Sequence, residues 1–175
     1  MSAFFLTGAV QTGKSTAIRR FLCANSAISA GGFLTVSIPT DTGFDVFLVP
    51  PAWTEKDLTP DALAGRRGGV YEKHPENFDG RGCALLAEKG PFHILLMDEL
   101  GRMALDAHAF RAAVLAALGG STPVLGVIKP EHNAFLDGVH AHPGVEIFSL
   151  TPENREEAPT AIAAWYARVS GENRV

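Results

Sequence analysis

The stretch GAVQTGKS, Gly8 to Ser15, decides how the rest of the chain reads. It follows the short apolar run Ala3 to Leu6 and opens into TAIRRFL, which has helical character. Its spacing, G-x-x-x-x-G-K-[ST], is that of a phosphate-binding loop in the strand–loop–helix setting this chemistry needs. Polyphosphate oxygens call for several main-chain N–H donors at once, and only a glycine-rich turn lets the backbone close in on them. The helix that follows aims its positive N-terminal end at the same oxygens. In this pattern Gly8, Ala9, Val10, Gln11, Thr12, Gly13, Lys14, Ser15 and Thr16 form the nucleotide-binding segment. Lys14 reaches the β- and γ-phosphates, and the Ser15 hydroxyl ligates Mg²⁺.

Working outward, Ala3 to Thr7 reads as a buried strand and Lys14 to about Ala24 as the first helix, with Ile18, Phe21 and Leu22 on one face. Cys23 on that helix reads as a small buried residue. GGFLTVSIP and FDVFLVP flank Asp41-Thr42-Gly43, which predicts a hairpin and therefore a sheet that is not wholly parallel. Residues 50–82 carry Pro50, Pro51, Pro60, Pro75 and many charges. They predict loops, short strands and a brief helix near Pro60 to Ala64, in a segment that serves as a cover. GRGCALLAEKG reads as a helix ending near Gly90. Phe92 to Glu99 reads as the clearest buried strand, followed by a helix with Phe110, Val114, Leu115 and Leu118 inward and Gly119-Gly120 as its stop. Pro123 to Ile128 and Val145 to Leu150 are further strands. His140 and His142 read as loop residues. The last helix is predicted from Thr151, as N-cap, with Pro152 at its first position and Asn154 and Arg155 in its first turn. Strands alternating with helices predict an α/β fold with a mainly parallel sheet, in a single domain over residues 1–175.

A phosphate loop needs an acid to organise Mg²⁺ and a group to activate the attacking oxygen. HILLMDE offers both. Asp98 emerges at the C-terminal end of a buried strand, where open α/β sheets bind ligands, and reads as the metal-organising acid. Glu99 follows and can polarise a water for attack on the γ-phosphorus. Lys129, just after TPVLGVI, reads either as an exposed loop lysine or as a cation that offsets charge on the γ-phosphoryl group. Arg102 reads in the same two ways, or as a salt-bridge partner for the Glu99 loop.

Bulk properties narrow the class. The 175 residues are 46% hydrophobic, enough for a core, and the net charge of −4 argues against a nucleic-acid platform. Two cysteines make no disulfide scaffold, and the six histidines are dispersed. No signal peptide and no membrane-length apolar run is read, so the expectation is a cytoplasmic protein without a membrane partner; the sequence identifies no protein partner.

GAVQTGKST, LMDELGRMAL and SLTPENREEAP, taken together and in this order, resemble the small P-loop nucleoside-triphosphatase family that includes the cancer-related nucleoside triphosphatases. Gly32-Phe33-Leu34-Thr35 matches its G-F-x-T segment and Gly43-Phe44-Asp45 its G-F-D segment. Asp98 to Ala104 matches its acidic motif and Thr151 to Arg155 its T-x-E-N-R motif. The resemblance implies a three-layer, Rossmann-like P-loop fold and slow Mg²⁺-dependent hydrolysis of several nucleoside triphosphates. It also implies Asn154 and Arg155 near the base or sugar; the residues alone read equally as a polar surface pair. The chain departs from the family at Val36 to Thr42, which lacks arginine and glutamate, at Arg102, which replaces lysine, and at Ala104, which replaces glutamate.

Two other functions compete. A small-molecule or nucleotide kinase would pass the γ-phosphate to an acceptor under the 50–82 cover, with Arg66-Arg67 either as a phosphate clamp or as a solvated pair. A nucleotide-dependent switch would order a loop for a partner; the absence of N-K-x-D disfavours a conventional GTPase.

Overall fold

The computed structural model describes residues 2–69 and 71–172. The fold starts from one apolar strand. In β1 (Ala3–Thr7) Ala3 and Phe5 point to one side of the sheet and Phe4 and Leu6 to the other, and all are buried. A strand buried on both faces must have helices above and below it. The phosphate loop leads to α1 (Lys14–Ala24), which buries Ala17, Ile18 and Phe21; Leu22 is half-buried and Cys23 is exposed, against expectation. Ile18 and Phe21 set the inward face, and Cys23 lies off it.

β2 (Ala30–Thr40) and β3 (Gly43–Val49) form the expected antiparallel hairpin. The segment that follows is more ordered than its prolines suggest. A 3₁₀ turn, Pro60–Ala62, replaces the brief helix, and β4 (Leu63–Arg67) and β5 (Glu72–Lys73) extend the sheet antiparallel from β3. The predicted helix near Cys83 begins earlier and ends sooner. It runs from α2 (Pro75–Asn77) through a π-helical stretch, Phe78–Gly82, into α3 (Cys83–Ala87). Pro75 sits at its first turn, where a missing N–H costs nothing.

β6 (Ile94–Leu100), α4 (His108–Leu118) and β7 (Val124–Ile128) follow. Phe110, Val114 and Leu118 are buried, but Leu115 is exposed. α5 (Ala134–His140) is a helix the sequence reading leaves out, so His140 is its last residue rather than a loop residue. Asn133 caps it by accepting from the N–H groups of Phe135 and Leu136. β8 (Val145–Ser149) precedes α6 (Ala158–Glu172). The predicted start of that helix at Thr151 is wrong. Asn154 Oδ1 accepts from the Thr151 N–H, and Asn154 Nδ2 donates to the Ser149 carbonyl. These local bonds hold 151–157 in turns, so Asn154 and Arg155 precede α6.

The sheet order is β5-β4-β3-β2-β6-β7-β1-β8. β2, β6, β7, β1 and β8 are parallel neighbours. Phe5, Phe33 and Met97 meet α3, α4 and α5 on one face; Phe4, Leu6 and Leu96 meet α1 and α6, with Trp165 fully buried, on the other. This is the expected three-layer α/β sandwich, its antiparallel part a run of three strands rather than one hairpin.

Candidate active site

The site lies at the C-terminal ends of β1, β6 and β7, three neighbouring parallel strands. Gly8 opens the phosphate loop with φ 129° and a backbone so close to β8 that a Cβ would lie 2.3 Å from the Leu150 carbonyl oxygen. Gly13 has φ 97° and Gln11 φ 62°, so the loop turns through left-handed conformations of the kind that build anion-binding nests. Lys14 is the buried cation here. Its Nζ donates to the carbonyl oxygens of Gly8, at 2.9 Å, and Ala9, and more distantly to Thr12 Oγ1. Burial, reinforced by Lys129, holds Lys14 below the usual lysine range against the pull of Glu99 and Asp98.

Asp98 is 4% exposed. The Ser15 hydroxyl donates to its Oδ1 at 3.3 Å and the Thr35 hydroxyl to its Oδ2 at 3.4 Å. Burial, with the Glu99 charge beside it, pushes Asp98 up to about 6, although bonds from Thr35 and Ser15 work the other way. Ser15 Oγ and the Asp98 carboxylate are hard oxygen donors of the kind that would suit Mg²⁺. Among the described residues no group of three or more His, Cys, Asp or Glu side chains could hold a metal ion.

Glu99 owes its position to a break in the ladder. Met97 pairs with Gly126 and Leu100 with Ile128, so Asp98 and Glu99 oppose the single residue Val127. Glu99 sits at φ 62°, in the left-handed region that a glutamate adopts only under constraint. Met97 and Leu100, three apart, both enter the same core, while Asp98 faces α1 and Glu99 the opposite cavity. There Lys129 Nζ donates to Glu99 Oε1 at 3.0 Å, and Arg67 Nη1 stands 3.6 Å from Oε2. Arg67 Nη2 donates to Ser37 Oγ at 2.6 Å, which ties β4 to β2 at this point.

Val10, Gly13, Lys14, Ser15, Glu99 and Lys129 border one cavity of about 250 Å³. Gln11, Thr12, Gly13, Thr16, Arg20 and Arg155 border a second, of similar size. Lys14, Ser15, Asp98, Glu99 and Lys129 therefore converge. Arg155 reaches the second cavity, while the Asn154 side chain is engaged with its own turn. Arg102 does not hold the Glu99 loop; its guanidinium lies 5.1 Å from the centre of the Tyr71 ring. Of the basic pair, Arg66 binds Asp45 and Glu72, and only Arg67 enters the site. Thr35 donates to Asp98 and Ser37 accepts from Arg67; spacing alone assigns neither a contact, and they become visible only when β2 is paired with β6.

The chain matches the model of a protein family described as NTPase over residues 3–163. It belongs to this NTPase family. It is 26% identical to the nucleoside-triphosphatase THEP1 of Thermotoga petrophila, over 86% of this chain and 85% of the relative. The solution structure of a human cancer-related nucleoside triphosphatase superposes with a TM-score of 0.67 at 24% identity, covering 94% of this chain and 97% of the other. The crystal structure of THEP1 from the hyperthermophile Aquifex aeolicus superposes with a TM-score of 0.69 at 22% identity, covering 94% and 98%. These superpositions establish the P-loop NTPase fold. Among the described residues no helix is long and apolar enough to cross a membrane.

Proposed function

We propose that this NTPase hydrolyses nucleoside triphosphates, ATP and GTP among them, to diphosphate and phosphate with Mg²⁺. The observation that carries the reading is the Glu99 carboxylate, held by Lys129 and Arg67 on a backbone bulge beside the phosphate loop. The two ion pairs fix the carboxylate beside the phosphate loop, where it can orient a water for attack, and the same cations match the charge that develops on a γ-phosphoryl group.

In this reading the N–H groups of residues 9–16 and the N-terminal end of α1 bind the β- and γ-phosphates. Lys14 exchanges its bonds to the Gly8 and Ala9 carbonyls for phosphate oxygens. Ser15 and Asp98 would hold Mg²⁺, which would supply positive charge against the phosphates. Glu99 accepts a proton from the attacking water as the new bond to the γ-phosphorus forms. The bond to the bridging oxygen breaks, and the diphosphate leaves with the electron pair. Lys129 and Arg67 stand on the side where the γ-phosphoryl charge spreads. Arg155 borders the cavity beyond Thr12 and Thr16, which suits the sugar or base, with Asn154 fixing the turn that presents it.

Calorimetric titration with a magnesium-bound, non-hydrolysable ATP analogue tests this. The wild type takes it up; Lys14→Ala binds at least about tenfold more weakly, having lost charge-assisted bonds to phosphate; and chelating Mg²⁺ abolishes phosphate release. Equal affinity in Lys14→Ala, or full turnover under chelator, contradicts the reading.

A further inference from the structure

The space beyond Glu99 is larger than hydrolysis requires. One water takes up about 30 Å³, yet the cavity bordered by the phosphate loop, β3 and β4 measures about 290 Å³. Val46, Ala64, Phe78 and Met103 supply apolar wall, and Arg102 and Glu131 also line it. The cavity shares Val10, Glu99 and Lys129 with the phosphate cavity, so the two meet at the carboxylate proposed to activate water. Along the shared wall the charges are engaged with one another, Lys129 and Arg67 with Glu99. Arg102 and Glu131 differ: among the described residues neither has an ion-pair partner, and Arg102 rests only on the Tyr71 ring. Apolar walls with two separated, unpaired charges of opposite sign match a ligand that has an apolar body and carries both charges itself.

We infer that this cavity is a second binding site, for a small zwitterion of the apolar or aromatic α-amino acid class. Its carboxylate meets Arg102, its ammonium group meets Glu131, and its side chain lies among Val46, Ala64, Phe78 and Met103. An occupant lies against Glu99, which lines this cavity, so hydrolysis slows when the site is filled. Only that coupling rests on the triphosphatase reading; the binding does not.

The test uses the full chain with Mg²⁺ and a non-hydrolysable ATP analogue, and three probes followed by ligand-observed NMR: L-phenylalanine, 3-phenylpropanoate and 2-phenylethylamine. L-Phenylalanine binds saturably, and each probe lacking one charge binds at least about tenfold more weakly. Arg102→Gln removes the advantage of L-phenylalanine over the amine, and Glu131→Gln removes its advantage over the carboxylate. Ala64→Leu, which fills the apolar wall, weakens all three while leaving the fold, followed by circular dichroism, intact. In phosphate release, L-phenylalanine lowers kcat and leaves the nucleotide KM unmoved. No saturable binding, or equal binding of the three probes, or advantages that survive both charge substitutions, overturns the site. Bound L-phenylalanine with unaltered turnover overturns the coupling. Bound L-phenylalanine with no phosphate release from the wild type leaves the site standing and rejects the triphosphatase reading; phosphate release without L-phenylalanine binding does the reverse.

Discussion

Two side chains show how environment assigns roles at the residue scale. Asp98 is buried and held above its ordinary range, up to about 6. Its folded value exceeds its unfolded one, so its favourable contribution to folding is complete below the ordinary aspartate value and is lost as pH rises through about 6. Magnesium-free protein therefore loses stability across that window, and Mg²⁺ restores it above. Below pH 6 the ion must displace a proton, and its affinity falls about tenfold per pH unit. Thermal unfolding with and without Mg²⁺ measures this; an equal stabilisation at pH 5 and pH 7 contradicts it. Arg67 is the residue whose part in the site only the fold decides. Arg66-Arg67 reads as a pair in sequence, yet β-strand alternation sends Arg66 to Asp45 and Glu72 and leaves Arg67 to hold Ser37 and Glu99. Arg67→Ala lowers kcat by up to about 10²-fold through a misplaced Glu99 with little change in nucleotide KM, and Arg67→Lys recovers part of the loss. A change confined to KM assigns Arg67 to binding instead.

At the scale of the element, the site depends on where strands are forced out of register or into unusual backbone. The bulge at Asp98 and Glu99 leaves no trace in composition, because DE at a strand end looks the same with or without an extra residue. β1, α1 and β7 were legible because short apolar runs and a glycine loop are local signals. α5 is short enough for its signals, Asn133 as a helix start and Phe135, Leu136 and Val139 as an apolar face, to pass for loop. The start of α6 is hidden in the sequence because Thr151-Pro152 imitates a helix start while Asn154 bonds back to Ser149. The join between β2 and β6 is a further local demand. Gly32 has φ 82°, and a Cβ there would lie 2.2 Å from the Leu96 carbonyl oxygen. Gly32→Ala should cost about 2–4 kcal/mol, a fall in melting temperature of roughly 5–15 °C for a chain of this size, read by differential scanning calorimetry. An unchanged melting temperature means that β2 and β6 are not packed this tightly.

Across the whole molecule, one eight-stranded sheet carries both halves of the chemistry. The parallel strands β1, β6 and β7 bring Lys14, Ser15, Asp98, Glu99 and Lys129 together from positions up to 115 apart in sequence. The antiparallel strands β3 and β4, with the π-helical stretch after α2, wall the cavity on the other side of Glu99 with Val46, Ala64, Arg67 and Phe78. The mainly parallel sheet follows from the alternation of element types in sequence. The antiparallel wall does not, because β4 is five residues containing one glycine and two arginines, and it gains its strand character from pairing with β3 rather than from its own composition. Phosphate release from magnesium–ATP with no other compound added, measured side by side for the wild type and Glu99→Gln, is the direct test. Turnover by the wild type, slowed by about 10²–10⁴-fold in a variant that still binds nucleotide, is the expected result; equal rates in the two proteins, or no release from well-folded wild type, would contradict it.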